Sequence, residues 1–197
     1  MHIETAFVIG NGVSRKPINL NHCKKLGLTV GCNAIIRDFA PHIISAADPR
    51  MVTHVQTLFQ GKIYTRPEWN KRYNVLEYPE LPYQGKDRPD NPWHWNSGPH
   101  AINIACQQSP KKCFLLGFDL TQNKSSNNVY MNTEGYNDKV IDPKYWHYQI
   151  NKILECYPQI KFVWIVPKEY MCPDEWKKHP NFSRDTIENF NKYLHAT

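Results

Sequence analysis

Ala6-Phe7-Val8-Ile9-Gly10-Asn11-Gly12-Val13-Ser14 is the stretch from which the fold can be read. Its apolar run has no polar alternation, which suits a strand covered by helices on both faces, as in a parallel sheet. The run stops at a Gly-x-Gly turn, where such a strand passes into its crossover. The same arrangement recurs. Leu28 to Cys32 ends in Asn33, His42 to Ala46 in Ala47-Asp48-Pro49, and Cys113 to Leu116 in Gly117-Phe118-Asp119. Lys62 to Thr65 and Phe162 to Val166 read as further strands. Helices are expected between them, near Asn21 to Lys25, Ala34 to Phe39, Pro49 to Phe59, Pro99 to Gln107, Pro143 to Cys156 and Thr186 to Leu194. The alternation predicts an α/β fold: a single Rossmann-like domain over residues 1–197, its mostly parallel sheet covered by helices on both faces.

Two segments break the alternation. Glu68 to Trp95 is rich in Pro, Tyr, Trp and Arg and shows no helical or strand period. It is read as an aromatic-rich lid over about residues 66–96, because long structureless segments in compact domains are usually functional loops. Thr121 to Lys139 is polar and rich in Asn and Ser. Residues 168–197 read as a capping segment that ends in a helix.

A chain of 197 residues with 41% hydrophobic and 21% charged residues can bury a sizeable core and is neither a coiled coil nor an acidic disordered tail. No run approaches the length of a membrane span, and the first residues lack a basic, then apolar, leader pattern. The expected location is the cytoplasm. Lys and Arg number 24 against 18 Asp and Glu, a net charge of +6 that mildly favours anionic partners. The six cysteines contain no Cys-x-x-Cys pair and no zinc-like spacing with histidine, so free thiols in a reducing compartment are expected and no metal site is assigned.

Ligands of open parallel sheets bind beyond the carboxyl ends of the strands. Here those ends carry Asn11, Gly12 and Ser14, then Asn33, Asp48 and Asp119. Each alone is ordinary turn chemistry; together they mark a ligand site. The dinucleotide fingerprint fails, since Arg15 stands at the third glycine and Asn33 where an acidic residue belongs. Asn96-Ser97-Gly98-Pro99-His100-Ala101 is the strongest local feature. Ser97 is expected to cap a helix with Pro99 in its first turn, leaving N–H groups over Gly98 for a phosphate.

The ordered set GNGVS, GCNA, NSGPHA and GFDLTQNKSS, spread over the chain up to about Ser126, resembles the bacterial sialyltransferase family of Campylobacter type. The same set also resembles the archaeal 6-hydroxymethylpterin diphosphokinases, which Ala47-Asp48-Pro49 fits better. The first resemblance implies a small glycosyltransferase. It would move a sugar from a nucleotide-sugar, CMP-linked, to an acceptor hydroxyl with inversion, and would need no cofactor. It places Asn11 and Ser14 near the donor's phosphate or ribose, Asn33 at the cytidine, and Ser97 and Gly98 on the nucleotide. A histidine base is implied after the GFDL segment, a residue type whose ordinary pKa lies near the working pH, and His147 occupies that region. His100 is a second candidate. The family's two phosphate-facing tyrosines fall at Thr121 and Asn127, with Tyr130 a few residues late, while Lys124 adds positive charge. That departure implies a different donor sugar or reaction.

The second resemblance implies an ATP- and Mg²⁺-dependent diphosphokinase, with Asp48 and Asp119 as the natural metal pair. A nucleotide-binding module without catalysis is the third reading. For the acceptor, Trp69, Lys71, Arg72, Tyr73, Lys86, Arg88, Trp93 and Trp95, with His94 between the last two, offer cations and flat apolar faces. Such surfaces suit a glycan or other hydroxyl-bearing acceptor, or a modified DNA base.

Overall fold

The computed structural model describes residues 3–83, 95–120, 127–136 and 143–196. Among these residues eight strands form one sheet: β1 (Thr5–Ile9), β2 (Leu28–Cys32), β3 (Ile43–Ser45), β4 (Lys62–Thr65), β5 (Leu76–Glu77), β6 (Lys112–Leu116), β7 (Lys161–Ile165) and β8 (Phe182–Asp185). Their order is β5-β4-β3-β2-β1-β6-β7-β8, and every pairing is parallel. The chain winds outward from β1 to β5, then returns to place β6 on the other side of β1. That reversal opens a crevice beyond the carboxyl ends of β1 and β6.

The helices are α1 (Leu20–Leu26), α2 (Pro49–Leu58), α3 (Pro67–Tyr73), α4 (Ser97–Cys106), α5 (Lys144–Cys156), α6 (Asp174–Lys177) and α7 (Ile187–Ala196). They cover both faces, which is why the strands needed no polar alternation. Ala6 and Val8 of β1 join Cys113 and Leu115 of β6 against α4 and α5, in a cluster that includes Ile102 and Ile153. Phe7 and Ile9 join Phe114 and Leu116 on the opposite face, against Leu20, Val55 and Phe190 of α1, α2 and α7. Phe7 stacks on Phe114 at 5.3 Å. All six cysteines are free thiols, and Cys23, Cys32, Cys106 and Cys113 are buried within this scaffold. No helix among the described residues is long and apolar enough to cross a membrane.

Three expectations need correction. The helix expected over Ala34 to Phe39 is a short 3-10 run, Asn33–Arg37, kinked at Ala34 after Asn33 adopts a left-handed φ of 52°. The segment without a visible period contains α3 and β5; Pro67 in the first turn nucleates α3, and left-handed Asn74 ends it. The capping tail carries an edge strand, β8, and the short α6 as well as its terminal helix. Both edge strands have exposed residues, so neither shows the apolar run of the central strands.

Candidate functional site

A cleft of about 630 Å³ lies at the switch point between β1 and β6. Its floor is the junction of the turns after those strands. Gly10 N donates to Leu116 O and Gly12 N to Gly117 O, both at 2.8 Å. A Cβ on Gly10 would stand 2.5 Å from Gly117 O, and one on Gly12 would stand 2.3 Å from Asp119 Cγ. The two glycines are therefore required by the close approach of the two turns. From above, residues 127–129 add an antiparallel rung: Val13 N donates to Asn127 O at 3.2 Å and Val129 N to Asn11 O at 2.8 Å. Asp119 ties the layers together. It accepts from Ser14 N at 2.8 Å, from Ser14 Oγ, and from Asn127 Nδ2 at 3.0 Å. Burial raises the Asp119 pKa, and the bonds from Ser14 oppose that rise.

This knot changes the reading of the Gly-x-Gly turn. The N–H groups of Gly12, Val13 and Ser14 are all engaged inside the protein, and Ser14 does not line the cleft. The phosphate contacts expected of Ser14 would require these bonds to be exchanged. Asn11 differs. It is 9% exposed and lines the cleft, its Nδ2 lies 3.3 Å from both Cys32 O and Tyr136 OH, and its Oδ1 is buried with no hydrogen-bond partner.

The opposite wall is the start of α4. Asn96, not Ser97, holds the N-cap position, and its side chain makes no capping bond. Ser97 is the first helical residue. Its hydroxyl donates to Asn33 Oδ1 at 2.8 Å and accepts from Ala47 N at 2.9 Å, which links the ends of β2 and β3 to the helix. The first intrahelical bond is from His100 N to Asn96 O, and Pro99 has no N–H. Ser97 and Gly98, both cleft-lining, thus carry the N–H groups that a helix leaves for a ligand. Gly98 packs beside Phe118, whose ring atom Cε1 would lie 3.1 Å from an added Cβ.

The remaining expected residues divide. Asp48 caps α2 at the cleft rim through Arg50 N, and it pairs with Arg50 Nη2 at 3.0 Å. Burial alone would raise the Asp48 pKa, but the bonds to Arg50 hold it below the usual carboxylate value. Asp48 and Asp119 do not fit a shared metal ion as arranged, because Arg50, Ser14 and Asn127 occupy their oxygens. Among the described residues no group of three or more His, Cys, Asp or Glu side chains is placed to hold one.

His100 is fully buried, stacked on Tyr78 at 3.7 Å, and belongs to the packing under α4. His147 stands on α5 behind the wall. Its Nε2 lies 3.2 Å from Leu120 O and its ring meets the edge of Trp176 at 5.7 Å, while Trp146 and Ile150 of the same helix line the cleft. Tyr130 turns away: its hydroxyl bonds Asp38 and accepts from Arg15 Nη2 at 2.8 Å. Lys124, Thr121, Lys86, Arg88, Trp93 and His94 lie outside the described residues.

The sequence reading missed Tyr136, Arg66, Glu68 and Trp146, all of which line the cleft. Tyr136 presents its hydroxyl 3.3 Å from Asn11 Nδ2 and 3.4 Å from Ala34 N, and burial pushes its pKa up to about 12, so it is a neutral phenol. No local motif marks any of the four. The only available signal was the concentration of aromatics and cations in the segments around them. No protein-family model, curated protein or solved structure matches this chain.

Proposed function

We propose that the cleft binds a nucleotide and that the chain is a small glycosyltransferase, moving a sugar from a nucleotide-sugar to an acceptor hydroxyl with inversion. The open start of α4 carries this reading. Ser97 and Gly98 offer N–H groups, at the positive end of a ten-residue helix, to a cleft at the switch point of a parallel sheet. Such a site stabilises the charge that develops on a departing phosphate. Asn11 Oδ1 adds a buried acceptor suited to a ribose hydroxyl or an amino group, and the Tyr136 phenol adds a donor. Trp69 and Trp146 add flat faces to the cleft lining.

Transfer also needs a base for the acceptor's proton. His147 fills that role only in a complex where its ring exchanges Leu120 O for the acceptor hydroxyl. Turnover that survives His147→Ala intact removes it as the base. The donor implied by the sequence resemblance is CMP-linked. The test is thermal-shift screening with CMP, CDP, UDP, GDP and ATP, each with and without Mg²⁺. A ligand at a hundred times its Kd stabilises the native state by about 2.7 kcal/mol. Stabilisation by a cytidine or uridine nucleotide without metal is expected. A response confined to Mg²⁺–ATP would replace the proposal with diphosphoryl transfer.

A further inference from the structure

The stretch from β4 into α3 puts two opposite charges into the cleft. Thr65 ends the strand and Pro67 begins the helix, so Arg66, Glu68 and Trp69 all emerge at the carboxyl edge of the sheet and line the same wall. Arg66 uses Nη2 for a long bond of 3.4 Å to Trp95 O, while its Nε is buried with no hydrogen-bond partner. Glu68 Oε2 is likewise buried with no partner. Buried charged groups are costly unless hydrogen-bonded, so unused atoms of this kind on a cleft wall indicate what the cleft holds.

We infer that Arg66, Glu68 and Trp69 form a subsite for an uncharged, hydroxyl-rich ring. The inference rests on the glycosyl-transfer reading and names its sugar class. A guanidinium only donates and a carboxylate only accepts. A ring with neighbouring hydroxyls satisfies both, because each hydroxyl donates and accepts. Trp69 supplies an apolar face for the ring's C–H side. The local charge disfavours an anionic ring: the Glu68 carboxylate on this wall would repel it, and Asp48 at the rim is a second carboxylate, paired with Arg50 at 3.0 Å. A carboxylated sugar would set its charge beside Glu68, with Arg66 the only Lys or Arg among the described residues that line the cleft.

The test compares bare nucleotides with their sugar conjugates by calorimetry, using UDP against UDP-glucose and CMP against CMP-N-acetylneuraminic acid. Saturation-transfer NMR with neutral methyl glycosides and glucuronic acid covers the acceptor case. Glu68→Gln, near-isosteric, and Trp69→Leu are compared with the unaltered chain, with melting curves as the fold control. The expected result is binding of a neutral conjugate or glycoside that Glu68→Gln weakens by about tenfold or more, with bare nucleotide changed by no more than about twofold. Loss on the conjugate assigns the ring to the donor; loss on the free glycoside assigns it to the acceptor. Equal weakening of bare nucleotide would overturn the inference, because the wall would then read the base. Preferential binding of the carboxylated sugars would overturn it too, as would nucleotide binding with no sugar contribution. Glycoside binding that depends on Glu68 without any nucleotide binding would support the subsite and defeat the nucleotide reading.

Discussion

On the β1–β6 side of the cleft, the N–H groups of Gly12, Val13 and Ser14 each have an acceptor, and Asp119 accepts from Ser14 and Asn127. On the α3–α4 side, the first turn of α4 lacks a side-chain cap, and Arg66 Nε and Glu68 Oε2 have no partner. Both sides carry Gly, Ser and charged residues at strand or helix ends, so composition does not separate them. Satisfaction does. The first side holds turns together. The second leaves hydrogen-bonding groups unpaired on the cleft wall.

Asp119→Ala is the strongest way to break this comparison. It strands Ser14 N, Ser14 Oγ and a bond from Asn127 in a buried layer. The expected loss is about 3 kcal/mol or more, a fall of roughly 6–12 °C in Tm for a chain of this size. A melt within about 2 °C of the parent would show that the knot is dispensable. Gly98→Ala probes the other side. Alanine gains about 1 kcal/mol in helix propensity and loses some of it against Phe118 at 3.1 Å. Stability should therefore change little, while nucleotide affinity by calorimetry falls by about tenfold. Unchanged affinity would move the phosphate away from α4.

Tyr136→Phe sits between the two sides. Removing its hydroxyl takes away a partner of Asn11 Nδ2 and Ala34 N, at about 1 kcal/mol by denaturant titration, with a matching loss of nucleotide affinity. An affinity loss without a stability loss would place the phenol on the ligand alone. The smallest effect is in acid. Burial alone would raise Asp38, but bonds to Arg15 and Tyr130 hold its pKa below 3.8. Its contribution is present above that unfolded value and is lost as pH falls through the folded one. Asp38→Asn should flatten the dependence of stability on pH below about pH 4. Asp119 has the opposite sign: its raised pKa means its contribution is complete below 3.8 and fades as pH rises through the folded value. A parallel loss of acid dependence in Asp119→Asn would contradict that sign.

The central sheet was legible because β1, β2, β6 and β7 are buried on both faces and read as unbroken apolar runs. β5 and β8 were not, since an edge strand such as Phe182–Asp185 leaves Ser183 and Arg184 exposed and shows no pattern. At the site, Asn11, Gly12, Asn33, Asp48, Ser97, Gly98 and Asp119 were found by position, as residues that follow strands or open a helix, and all line the cleft. Tyr136 and Glu68 were not, because long-range packing brings them in. The chain places Tyr136 on Asn11 across a separation of 125 residues, which no local pattern encodes.

The buried thiols have a use outside any chemistry of the cleft. Burial raises the pKa of Cys23 and of Cys32 to about 12, so neither is a thiolate at neutral pH. A reagent that attacks thiolates must wait for the domain to open. Cys156 and Cys172, only half-buried, are available sooner. Cys32 is buried at the cleft lining with its Sγ 3.6 Å from Ile9 O, so its alkylation rate records local opening where β1 and β2 meet the cleft. The native sequence thus contains its own clock for breathing motions, and any ligand that covers Cys32 would slow it without a label being introduced.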